Sequence, residues 1–129
     1  MLEIFCDASY KEKSSKAGIS CVVVDKGNVI KVSSKVVRAS NVTDAELNAV
    51  LEASILMADM NFNPKNSIVY TDNQTVINLL SKKMKVPKSL LKAVIEIVEY
   101  YDPFPIRHIN RDNNSRADAV AVHALRRKT

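Results

Sequence analysis

Residues 17–37 read AGISCVVVDKGNVIKVSSKVV, two β-branched runs separated by the turn formers KGN at 26–28. Valine recurs through both runs, and so short a link leaves room only for a hairpin. The pair is therefore read as antiparallel strands. Upstream, LEIFCDAS (2–9) carries Ile and Phe with few turn formers and reads as another strand. The polar KEKSSK (11–16) joins it to the hairpin, which makes the first part of the chain a three-stranded antiparallel meander.

The period then changes. In NVTDAELNAVLEASILMADM (41–60), Ala49, Val50, Ala53, Leu56 and Met57 recur at helical spacing, with Thr43 or Asp44 as the expected cap. NFNPKN (61–66) ends that helix. SIVYTD (67–72) reads as a short strand, and NQTVINLLSKK (73–83) as a helix directly after it. VPKSLLKAVIEIVEYYD (86–102) places Pro87 near a helix start, with Leu90, Leu91, Val94, Ile95 and Val98 at helical spacing. PFPIRHIN (103–110) is read as a last strand with prolines at its first positions, and a final helix runs from about Ser115. The order β-β-β-α-β-α-α-β-α predicts an α/β protein, a mixed sheet covered by helices in one domain over residues 1–129.

Composition agrees with that reading. The 129 residues are 47% apolar and 26% charged, enough for a real core and against disorder. No apolar run is long enough for a transmembrane helix, and MLEIFCDAS lacks the pattern of a signal peptide, so a cytoplasmic protein is expected. Nothing calls for a membrane or an obligate protein partner. Cys6 and Cys21 each lie in a strand-like run, form no metal-ligand spacing, and read as reduced core residues. The net charge of +5 comes largely from the second half, with Lys82, Lys83, Lys85, Lys88 and Lys92 and then Arg107, Arg111, Arg116, Arg126 and Arg127. A polyanionic partner and a merely solvated basic face both fit.

Four acids stand where apolar residues are expected. Asp118, in NNSRADAVAVHALRRK (113–128), shares a helical face with Ala121, Val122 and Leu125. Glu46 shares one with Ala49, Val50, Ala53 and Met57; Asp7 interrupts the first strand; Asp72 ends the strand SIVYTD. Each has an ordinary explanation. Asp72 would serve as a helix cap, Glu46 as an acid at the positive end of a helix dipole, Asp7 as a turn starter, and Asp118 as a partner of Arg116 or Arg111. Together they raise another reading: clustered carboxylates repel, and a divalent cation removes that penalty. Hard ions such as Mg²⁺ or Mn²⁺ prefer carboxylate oxygen, and two of them roughly 4 Å apart stabilise phosphodiester cleavage.

With its acids in IFCDAS, DAELNAVLEA, VYTDNQTVINLL and RDNNSRADAVAVHAL, the chain resembles ribonuclease H type 1 over almost its whole length. It is most similar to the compact branch whose last motif has the form R-[ED]-x-N-x-x-A-D. The resemblance implies a mixed five-stranded sheet, three antiparallel strands then two parallel, with helices on both faces. It also implies an endonuclease that hydrolyses the RNA strand of RNA–DNA hybrids with two Mg²⁺ or Mn²⁺ ions. On that pattern Asp7, Glu46, Asp72 and Asp118 are the catalytic, metal-binding acids. Asn73 and Gln74 match the family's minor-groove contacts, and Asn114 the Asn that precedes the last acid, which the resemblance implies is a local organiser of the loop and helix start. Thr43, Arg111 and Asn114 join the expected substrate contacts, Arg111 through phosphate.

There are departures. SNVTDAE (40–46) carries Val42 and Thr43 where many relatives have two asparagines, and SKKMKVPKSLLKAV (81–94) replaces a longer basic protrusion. His108 stands ten residues before Asp118, at the offset of a catalytic helper in longer relatives, yet inside a strand; a helper role and a packing or strand role both remain open. His123 reads as helix surface. Three functions follow: a ribonuclease H, a nuclease of the same fold for another nucleic acid, or a non-catalytic nucleic-acid-binding module.

Overall fold

The computed structural model describes residues 1–128. The strands are β1 (Leu2–Lys11), β2 (Lys16–Asp25), β3 (Asn28–Arg38), β4 (Ser67–Thr71) and β5 (Ile106–His108). The helices are α1 (Val42–Asp59), α2 (Gln74–Leu80), α3 (Lys88–Tyr100) and α4 (Ser115–Lys128). Short 3-10 turns precede β4 and α4. The sheet order is β3-β2-β1-β4-β5, antiparallel across β3, β2 and β1 and parallel from β1 through β4 to β5. The hairpin closes through Lys26 and Gly27, both at positive φ (51° and 81°). This two-residue loop matches the right-handed twist of the strands it joins.

Strand alternation divides the core between two faces. Ile4, Cys6, Ile19, Cys21 and Val23 point to one side, where they pack with Leu47, Val50, Met57 and Ile97 from α1 and α3. Phe5, Val22 and Val24 point to the other side and meet Ala117 and Val120 of α4. Helices thus cover both faces. Gly18 sets how near α4 comes: a Cβ there would stand 2.1 Å from the Ala121 carbonyl oxygen and 2.9 Å from the Leu125 nitrogen. Cys6 and Cys21 are opposed across β1 and β2, buried and free, with sulfurs 3.7 Å apart. The Cys21 thiol donates to the Ala49 carbonyl, and burial pushes the Cys6 thiol pKa up.

Several local expectations are corrected. The cap of α1 is Asn41, not Thr43 or Asp44: its side chain accepts from the Asp44 amide, while the Asp44 carboxylate accepts from the Ser40 amide and hydroxyl. α2 ends at Leu80 rather than running through Lys83. In α3 the inner stripe is Leu90, Val94 and Ile97, leaving Leu91 and Ile95 exposed. β5 is only three residues long, and both prolines lie before it. Pro105 still serves the sheet, since its carbonyl accepts from the Val69 amide. Among the described residues no helix is long and apolar enough to cross a membrane.

Candidate active site

Asp7 lies in register with Ser20 on the sheet face that α4 covers, and the Ser20 hydroxyl donates to the Ala117 carbonyl there. β1 and β4 pair in parallel as far as Phe5 and Tyr70. Two residues further along each chain, Asp7 and Asp72 come level just as β4 runs out. Glu46 arrives from the opposite layer, on the second turn of α1, and its Oε1 accepts from the Ala8 backbone amide at 3.1 Å. Asp7, Glu46 and Asp72 each offer a carboxylate oxygen, and these lie within 4.8 Å of one another. Asp7 and Glu46 are 4% and 5% exposed.

Asp118 differs from expectation. It is exposed rather than buried among Ala121 and Leu125, because the inner face of α4 is formed by Ala117, Ala121, Ala124 and Leu125. It stands in the first turn of α4, outside the three-acid cluster, and bears on Asp7 only by helping to push the Asp7 pKa up.

Crowding is visible in the proton affinities. Burial, then the Asp72 charge, push the Asp7 pKa up from 3.8 to about 7; the Ala8 amide and Glu46 oppose this, and Asp118 adds to it. Burial, then the charges of Asp7 and Asp72, push Glu46 from 4.5 to about 9. Glu46 Oε2 is buried without a hydrogen-bond partner among the described residues. Arg111 pairs with Asp72 from solvent, its Nε 3.9 Å from Asp72 Oδ2. With 87% of its side chain exposed, it compensates little. Arg111 therefore faces Asp72 rather than Asp118 or Asp112.

An oxygen-only set with an orphaned buried carboxylate oxygen fits a hard divalent cation. Such ions favour carboxylate donors, and among the described residues Arg111 is the one cation paired with an acid of the cluster. Capping does not account for Asp72, since the cap of α2 is Asn73, whose side chain accepts from the Val76 amide. Gln74 is exposed and donates to Asn78. Thr43 is half-buried in the first turn of α1. His108 is exposed at the end of β5 and pairs there with Thr71, so it has a strand role without being packed in the core. His123 is exposed on α4. Asn114, expected among the substrate contacts, is 1% exposed and turned inward, its amide donating to the Cys6 carbonyl at 2.8 Å. Two supporting groups were not read from the sequence. The Ala8 amide carries no side-chain signal, whereas the Asn41-to-Asp44 spacing is a capping pattern that could have been found.

The family model described as "Reverse transcriptase-like" matches residues 5–124. No curated protein gives a significant match. Solved structures do. Ribonuclease H1 from the halophilic archaeon Halobacterium salinarum is 23% identical, with 96% of each chain covered and a TM-score of 0.84. The N-terminal ribonuclease H domain of a Mycobacterium tuberculosis protein is 22% identical, with 96% of this chain and 92% of that one covered and a TM-score of 0.81. LC11 ribonuclease H1, solved in complex with an RNA/DNA hybrid, is 22% identical over 99% of both chains, with a TM-score of 0.84. With its strand order, its parallel β1–β4 pair and its acids at the end of that pair, the chain belongs to the reverse-transcriptase-like family and has the ribonuclease H fold.

Proposed function

We propose that residues 1–129 act as one ribonuclease H domain, an endonuclease hydrolysing the RNA strand of RNA–DNA hybrids with two Mg²⁺ or Mn²⁺ ions. One observation carries the reading: Asp7, Glu46 and Asp72 meet from two strands and a helix, two of them raised in pKa, with little protein cation to compensate. The hybrid bound by LC11 ribonuclease H1, a protein of the same fold, supports the substrate class.

In this reading Asp7, Glu46, Asp72 and Asp118 hold the cations. When bound, such ions neutralise the acids, make water a better nucleophile and stabilise the departing oxygen. The protein's own contribution is placement. The Ala8 amide fixes one Glu46 oxygen, and the β1–β4 register holds Asp7 against Asp72. Exposed Arg111 beside Asp72 suits a phosphate oxygen, while Asn73, Gln74 and Thr43 at the starts of α2 and α1 supply polar contacts along the strands. His108 stands beside the β4 end as a candidate helper. The two reduced cysteines suit a reducing compartment such as the cytoplasm.

A second substrate reading is favoured by the departure at SNVTDAE, where Asn41 is spent on capping α1 and Val42 is 56% exposed. One assay separates the readings: labelled RNA–DNA hybrid, duplex RNA and duplex DNA with Mg²⁺ or Mn²⁺, wild type beside Asp72→Asn. Hybrid-selective cleavage lost in Asp72→Asn is expected, because selectivity requires sensing the 2′-hydroxyl of one strand. Equal cleavage of duplex DNA would move the function to another nucleic acid. Metal-independent binding without cleavage would leave a binding module.

A further inference from the structure

We propose that Asn114 is a positioning residue, which sets the place of the Asp7 carboxylate by clamping the preceding Cys6 peptide; this rests on the catalytic reading of Asp7. Asn114 closes the 3-10 turn Arg111–Asn114 directly before α4, yet its Nδ2 donates to the Cys6 carbonyl, 108 positions away in the chain. The β1–β4 ladder ends at Phe5–Tyr70, so the clamp holds β1 just past the point where β4 stops supporting it. The next residue is Asp7. Four residues after Asn114 comes Asp118, in the first turn of α4. One hydrogen bond thus ties the start of α4 to the residue that precedes Asp7.

The energetics argue against a purely stabilising role. The Cys6 oxygen can only accept, so the NH₂ group must face it, which leaves Oδ1 on the inner side. Oδ1 is buried without a partner among the described residues. An orphaned buried acceptor costs at least as much as one neutral hydrogen bond contributes. The bond given to the Cys6 carbonyl and the unpaired Oδ1 offset each other, so what Asn114 adds is chiefly geometry. Displacing a reacting group by an ångström can lower a rate about 100-fold, and a clamp next to Asp7 acts at that scale.

Asn114→Ala and the near-isosteric Asn114→Asp test this beside wild type. Folded fraction is measured by urea unfolding, kcat and KM on the hybrid, Mn²⁺ affinity by calorimetry, and backbone amide resonances of Asp7 and Ala8 by NMR. Expected are kcat values per folded molecule lower by about 30- to 100-fold, KM within about twofold, weaker Mn²⁺ binding, and displaced Asp7 and Ala8 resonances. Should Asn114→Ala fail to fold, Asn114→Asp carries the test. Wild-type kcat per folded molecule, or a loss confined to KM, would overturn the proposal. If wild type itself does not cleave the hybrid, the functional reading falls, while Mn²⁺ affinity and the two resonances still decide whether Asn114 positions Asp7.

Discussion

At Asp7 and Glu46 the protein holds protons that the unfolded chain would release. Their pKa values rise from 3.8 to about 7 and from 4.5 to about 9, each through burial first and neighbouring carboxylates second. Between about pH 4 and pH 9 the folded state therefore binds more protons than the unfolded one. Stability falls as pH rises through that window, and the full stabilisation is present only below the unfolded values. Urea unfolding in EDTA should show the metal-free protein weaker at pH 8 than at pH 5, by an amount on the order of a few kcal/mol. Mg²⁺ should restore more stability at pH 8 than at pH 5. Asp72→Asn removes one repelling charge, so in EDTA it should raise the unfolding midpoint while lowering hybrid cleavage by roughly 1000-fold or more. Unchanged activity in that variant would remove Asp72 from the chemistry. The misplaced acids were legible because charge in an apolar pattern is conspicuous. The exposure of Asp118 was not, since a helical face predicted from spacing does not say how far around α4 the sheet reaches.

Among the elements, α4 links sheet packing to the site. It lies so close to β2 that Gly18 has no room for a Cβ, which would meet the Ala121 carbonyl at 2.1 Å. The obstacle is helix backbone, so Gly18→Ala must push α4 outward rather than turn a side chain. A loss of about 1–3 kcal/mol in urea unfolding is expected. Hybrid cleavage per folded molecule should fall as well, because Asp118 moves with α4. Full activity of the folded fraction would show that the first turn of α4 tolerates the shift. Strands and helices were largely readable here. The β2–β3 hairpin announced itself in valine-rich runs around Lys26 and Gly27, and α1 in its apolar spacing. Ends were harder: α1 starts from an Asn41 cap with Asp44 reaching back to Ser40, and β5 shrinks to three residues because the chain reaches the sheet through Pro103 and Pro105.

For the whole molecule, a net charge of +5 coexists with a cluster of negative charge at one end of the β1–β4 pair. Cations that bind only the folded site should stabilise it by about 2.7 kcal/mol at a concentration 100 times their Kd. Thermal unfolding with and without Mg²⁺ checks this, and EDTA should reverse the gain. No Mg²⁺ effect on wild type, or an equal effect on Asp72→Asn, would count against the site. The sequence by itself determined which segments are strands and helices and which four carboxylates sit awkwardly, because periodicity and charge are local properties. Only the long-range packing shows that three of those carboxylates meet while the fourth, Asp118, is exposed in the first turn of α4. The reason is register: Asp7 and Asp72 become neighbours only because β4 pairs with β1 in parallel, ending where β1 continues. The same long-range pairing brings Asn114 against Cys6, a contact no spacing within either segment could announce.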